Sequence, residues 1–126
     1  MIDINPKISH QQTIVDPIEL RGIGLHSGKE VEIKLKPAEI DNGIKFIRTD
    51  KNSNNIIEAV WSNVSETILS TTISNESGLK ISTIEHLMSA LSGLHIDNLD
   101  VFIDAAEVPI MDGSSRPFVE MIEKVG

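Results

Sequence analysis

Ser82-Thr83-Ile84-Glu85-His86-Leu87-Met88-Ser89-Ala90-Leu91-Ser92-Gly93 decides the architecture, because the apolar period changes there. Ile84, Leu87, Met88 and Leu91 fall at i, i+3, i+4 and i+7, which is one face of a helix. Ser82 and Glu85 spell an S-x-x-E capping box and predict a helix from Thr83. Gly93 predicts its end, at Leu91 or Ser92. At about 100° per residue, His86 lies opposite the apolar stripe, on a side shared with Ser89, Ala90 and Gly93. A plain surface helix would carry Lys and Glu there. Small residues predict a helix covered twice, once by the sheet of its own domain and once by structure outside the chain.

Upstream the period is two. Val31, Ile33 and Leu35 alternate with Glu30, Glu32, Lys34 and Lys36, so Lys29 to Lys36 reads as a strand with one wet face, stopped by Pro37. A strand over Gln12 to Leu20 precedes it, with Pro17 marking an edge or a bulge, and residues 21–28 form a glycine-rich turn between them. Further strands are expected at Gly43 to Arg48, Ile56 to Trp61, Ile68 to Ser74 and Asn98 to Asp104. A second helix is expected from Arg116 to Val125, with Ser115 as cap, Pro117 in the first turn, and Phe118, Ile122 and Val125 facing inward. Strands, a helix, a strand and a helix predict an α+β fold. It is one two-layer domain, with a mostly antiparallel or mixed sheet and helices packed on one face.

Composition narrows the function. The chain has 126 residues, which suits one domain. Apolar residues make up 40% and aromatics 3%, so the core must be aliphatic. With one Trp, no Tyr, a net charge of −8 and no basic stripe, the chain is not expected to bind nucleic acid. The absence of Cys excludes disulfides, cysteine-based zinc sites and a thiol nucleophile. Met1 to Gln12 lacks the apolar core of a signal peptide, and no stretch has the length of a transmembrane helix. The expected location is cytoplasmic.

Glu85-His86 is the pair with chemical potential. Histidine is the commonest metal ligand, and a neighbouring glutamate can serve as general base. The pair matches neither H-E-x-x-H nor its inverted form, since position 82 is Ser. It also has a purely structural reading, with Glu85 as the capping acid and His86 as a surface residue. His10, His26 and His95 have no metal-ligand spacing to His86, so three ligands are not found within the chain. The glycines at 22, 24 and 28 miss both the dinucleotide and the P-loop patterns, which leaves a tight turn with His26 near its tip. Ala106 to Ser114 reads as a buried loop leading into a helix.

Taken together, Gly22-Ile23-Gly24-Leu25-His26-Ser27-Gly28-Lys29, Arg48-Thr49-Asp50, Ile81 to Leu87, Ile96-Asp97-Asn98 and Val108 to Ser114 stand in one order and spacing. In this the chain resembles the UDP-3-O-acyl-N-acetylglucosamine deacetylases of lipid A (lipopolysaccharide) synthesis in Gram-negative bacteria, from about Gln12 to the end. The resemblance implies an enzyme of two related domains whose helix layers pack between two sheets, a β-α-α-β sandwich with Zn2+ between the domains. It implies that His86 is a zinc ligand and that Glu85 is the base for the attacking water. Leu25, His26, Ile68 and Ser70 match positions lining or near the substrate site. The other two zinc ligands, in an H-x-x-x-D segment, belong to the second domain. So do a lysine, a general-acid histidine and the acyl passage. The chain is therefore expected to be the N-terminal domain only, over residues 1–126, inactive alone and a weak zinc binder. Its expected partners are UDP-3-O-acyl-N-acetylglucosamine and its own C-terminal domain. The competing expectations are a non-catalytic interaction module that uses the exposed helix face, and a stand-alone hydrolase built on its own histidines.

Overall fold

The computed structural model describes residues 2–3, 11–67 and 70–125. Strands β1 (Ile2–Asp3) and β2 (Gln12–Thr13) pair antiparallel. The main sheet contains β3 (Ile18–Ile23), β4 (Glu30–Pro37), β5 (Ile44–Arg48), β6 (Ile56–Glu58) and β10 (Leu99–Ile103), in the order β3-β4-β10-β5-β6. Within this sheet, among the described residues, only the β10–β5 pairing is parallel. A smaller antiparallel sheet joins β7 (Val64–Glu66), β8 (Thr72–Ser74) and β9 (Lys80–Ile81). Helices α1 (Glu85–Gly93) and α2 (Arg116–Val125) pack on each other. This is the expected two-layer α+β domain.

Alternation along the strands creates the core. Ile18, Leu35, Val101, Phe46 and Ile57 pair across five strands in one continuous row, all buried. A second row runs Leu20, Ile33, Ile103 and Arg48. The helices cover these rows with Leu87, Ala90 and Leu91 from α1 and with Phe118 and Ile122 from α2. Each buried Leu, Ile, Val or Phe side chain contributes about 1.5–3 kcal/mol by leaving water, and Ala90 less. The opposite face is wetter: Lys34, Lys36 and Phe102 are half-buried there, with the Lys36 ammonium 4.7 Å from the Phe102 ring centroid.

Arg48 ends its apolar row as a charge, and its neighbours make that possible. Its Nε and Nη2 bind both carboxylate oxygens of Asp50, and Nη1 donates to the Lys80 carbonyl. At the same edge of the sheet the Asn75 amide donates to the carbonyls of Asn54 and Ile56.

Several elements differ from the sequence expectation. The strand expected over Gln12 to Leu20 is two strands, with Pro17 between them. The strand expected over Ile56 to Trp61 stops at Glu58, and Trp61–Asn63 form a 3-10 turn. Helix α1 begins at Glu85, not Thr83, and the capping box does not form. Ser82 instead lies in a parallel bridge with Glu107, its hydroxyl accepts from the Thr72 hydroxyl, and Glu85 bonds Thr71. Tertiary ties to two distant segments outcompete the local cap. Ala90 is buried in the core, so only Ser89, Ser92 and Gly93 form the exposed small-residue face. The left-handed residue after α1 is His95 (φ 58°), not Gly93. The His95 N–H bonds the Ser92 carbonyl and the Ile96 N–H bonds the Leu91 carbonyl, a Schellman arrangement with Ile96 buried beside Leu91. No helix among the described residues is long and apolar enough to cross a membrane.

Candidate active site

Glu85 and His86 open α1, held by what precedes them. The Ser82 N–H donates to the Ala106 carbonyl (2.8 Å), and the Val108 N–H donates to the Ser82 carbonyl (3.0 Å). Thr83 then turns the chain with φ 61°, a costly value for a β-branched residue. Thr83 is buried, and its hydroxyl has no partner among the described residues. After that turn, Thr71 grips the helix start from both sides. Its carbonyl accepts the Ile84 N–H (3.3 Å), and its own N–H donates to Glu85 Oε2 (3.1 Å). Glu85 is thus oriented through one oxygen. The half-buried His86 ring makes no hydrogen bond among the described residues.

The turn at 24–28 is closed by Gly24 N–H to the Lys29 carbonyl (2.9 Å) and Gly28 N–H to the Gly24 carbonyl (3.0 Å). At its centre sits a carboxylate that the sequence reading did not single out. Glu107 Oε1 accepts the N–H groups of Ser27 (2.8 Å) and His26 (3.1 Å), and Oε2 lies 3.1 Å from His26 Nδ1. Glu107 is only 5% exposed. Burial by itself raises its pKa. The N–H groups of Ser27 and His26, with the Ser27 hydroxyl and the His26 ring, outweigh that and hold it below the ordinary value. Gly24 makes room for it, since a Cβ there would stand 2.3 Å from Oε1.

A cleft of about 700 Å³ opens beside this cluster, lined by His26, Arg48, Ser70, Thr72, Ser82 and Glu107 among others. It brings together two of the residues singled out in the sequence, His26 and Ser70. Glu85 does not line it, but is hydrogen-bonded to Thr71, which stands in the chain between the lining residues Ser70 and Thr72. Leu25 is 53% exposed and is not among the lining residues, and neither is His86. Ile68 lies outside the described residues. In the cleft, hydrogen bonds from Arg48 hold the Asp50 carboxyl below its ordinary value. A second cleft, of about 580 Å³, lies over β6 between Lys45, Asn54 and Asn75 and holds none of the singled-out residues.

An imidazole nitrogen and a carboxylate oxygen are donors that Zn2+ accepts, and a His86 ring without a hydrogen bond among the described residues suits a ligand role. Among the described residues no three His, Asp or Glu side chains gather to hold a metal.

The fold and site define a class: a two-layer α+β domain that presents a carboxylate and an imidazole on the first turn of its first helix, with a separate cleft lined by His26, Arg48, Ser70 and Glu107. A sequence model of the UDP-3-O-acyl N-acetylglycosamine deacetylase family matches residues 11–126, and the chain belongs to that family. Relatives named UDP-3-O-acyl-N-acetylglucosamine deacetylase are similar over 92% of the chain. The protein of Hahella chejuensis is 53% identical, that of Marinobacter nauticus 50% and that of Shewanella halifaxensis 47%. The chain spans 38% of the length of each of these relatives.

Proposed function

We propose that the chain is the N-terminal domain of a zinc-dependent amidohydrolase that removes acetate from UDP-3-O-acyl-N-acetylglucosamine in lipid A biosynthesis. The observation that carries this reading is Glu85, anchored on Thr71 between the cleft residues Ser70 and Thr72, beside a His86 ring that makes no hydrogen bond among the described residues. Thr71 occupies Glu85 Oε2, which leaves Oε1 to take the proton of a water adding to the acetamide carbon. His86 is one ligand of Zn2+, whose bound state supplies Lewis acidity at the carbonyl and lowers the pKa of water. The remaining ligands come from the part of the protein that the relatives have and this chain does not span. Leu25, His26, Ile68 and Ser70 contact the substrate. In this reading the chain alone is inactive and holds zinc weakly, because one histidine lacks the affinity of a three-ligand set.

The test is deacetylation of UDP-3-O-acyl-N-acetylglucosamine by the whole protein that carries this chain, with zinc supplied, wild type beside Glu85→Gln. Activity that collapses in the variant supports the reading. A folded, metal-loaded and inactive wild type would contradict it and favour a non-catalytic interaction module, with Glu85 as a structural tie.

A further inference from the structure

Glu107 is the most completely buried acid in the described residues, and the mechanism above gives it no work. It joins two segments that are distant in sequence. Its side chain takes the N–H groups of His26 and Ser27, some 80 positions away. Its backbone sits between the two hydrogen bonds that tie Ala106 and Val108 to Ser82, three residues before Glu85. The Ile110 N–H, bonded to the Ile23 carbonyl (3.0 Å), fastens the same loop to the strand that feeds the turn. One residue therefore sets where the His26 turn stands relative to the start of α1.

We infer that Glu107 is a positioning residue: its carboxylate fixes the His26 ring through Nδ1, so that Nε2 is the nitrogen turned to the substrate. This rests on the reading that His26 faces substrate in the deacetylase. An ionised carboxylate only accepts hydrogen bonds, so the nitrogen 3.1 Å from Oε2 must carry a hydrogen. That defines the Nδ1–H tautomer for the neutral ring, with a lone pair on Nε2. The arrangement is asymmetric in exposure: the Glu107 side chain is 7% exposed and that of His26 is 49%. The acid is a buried support and the imidazole is its working end. The held-down pKa of Glu107 agrees, since it keeps the support ionised at neutral pH.

Glu107→Gln separates this role from simple bracing. The glutamine carbonyl can replace Oε1 and keep the N–H groups of His26 and Ser27. Its NH2 then takes the place of Oε2 and donates to Nδ1, which forces the hydrogen onto Nε2. Long-range 15N–1H spectra of the whole protein, labelled with 15N only at histidine and recorded at alkaline pH, read the tautomer directly. The expected result is Nδ1–H in the wild type and Nε2–H in Glu107→Gln. The value of kcat/KM should fall by about tenfold or more, short of the roughly 10⁴-fold that a wrong tautomer costs where the histidine is itself the general base. In a His26→Ala background the same Glu107→Gln change should alter the rate less than about twofold, because its effect runs through His26. An unchanged tautomer, or an equal rate loss in the His26→Ala background, overturns the positioning role. A His26→Ala enzyme of full activity would overturn instead the placement of His26 at the substrate, and the inference with it. If Glu107→Gln does not fold, the wild-type spectrum still decides: an Nε2–H tautomer there contradicts the Nδ1–H bond to Glu107.

Discussion

Glu85 Oε2 accepts the backbone N–H of Thr71 at 3.1 Å, so the acid is held by a strand neighbour and not by its own helix. This separates its two possible contributions. A glutamine at 85 keeps an oxygen for Thr71 but cannot take a proton. Glu85→Gln in the whole protein should shift stability by less than about 1 kcal/mol, the scale of one hydrogen bond. It should lower the deacetylation rate by roughly 10² to 10⁴, the usual share of a general base. Urea unfolding beside a steady-state assay checks both. A rate within about threefold of wild type would remove Glu85 from the chemistry.

Gly24 and Gly93 make a contrast of space. A Cβ at Gly24 would sit 2.3 Å from Glu107 Oε1 and 2.6 Å from Ser27 Oγ, whereas at Gly93 nothing lies within 4 Å. The Glu107 oxygen is the end of a side chain, but N–H donors pin it and it cannot swing aside freely. Gly24→Ala should therefore cost about 1–3 kcal/mol, as overpacking does. Gly93→Ala, in a helical residue, should stabilise by about 0.5–1 kcal/mol. Equal unfolding midpoints for the two variants would contradict the packing around Glu107.

Glu107 and Asp50 both sit below their ordinary values in the folded chain. A carboxylate held low when folded binds its proton more readily once unfolded. Its contribution is complete above the ordinary glutamate value of 4.5 and is lost as pH falls through the lower folded value. Urea midpoints should be level between about pH 7 and pH 5 and should drop towards about pH 3, with a shallower drop in Glu107→Gln. A wild-type midpoint unchanged at about pH 3 would contradict the shifts.

Thr83 buries a hydroxyl with no partner among the described residues. Replacing such a group with a methyl of the same shape removes a desolvation cost of about 1–3 kcal/mol. Thr83→Val should leave stability unchanged or raise it by about 1 kcal/mol, measured by chemical denaturation. A loss of more than about 1 kcal/mol would show that the hydroxyl is engaged in the native protein.

What could be read in advance follows the range of the forces. Val31, Ile33 and Leu35 in β4, Leu99, Val101 and Ile103 in β10, and the buried face of α2 declare themselves through periodicity, which local sequence records. The start of α1 differs because Ser82 and Glu85 have the spacing of a cap, yet each is tied elsewhere, at Ala106, Val108 and Thr71. Of the candidate site, the Glu85–His86 pair and the glycine-rich turn with His26 stand out in the local sequence. Glu107 does not, because its meaning lies in N–H groups some 80 residues upstream. The one local signal is an acid followed by the apolar run Val108 to Met111.

The contact of Gly24 with Glu107 also bears on how this sequence can change over generations. The turn has no side chain at 24 because a carboxylate occupies that volume, and the carboxylate can stand there only while 24 stays bare. The constraint runs one way: a side chain at 24 is disfavoured while the carboxylate stands there, whereas Glu107 can change with Gly24 in place. Relatives that keep glutamate at the position of Glu107 beside a bulky residue at that of Gly24 would refute this linkage. Those that lost both together would record its release.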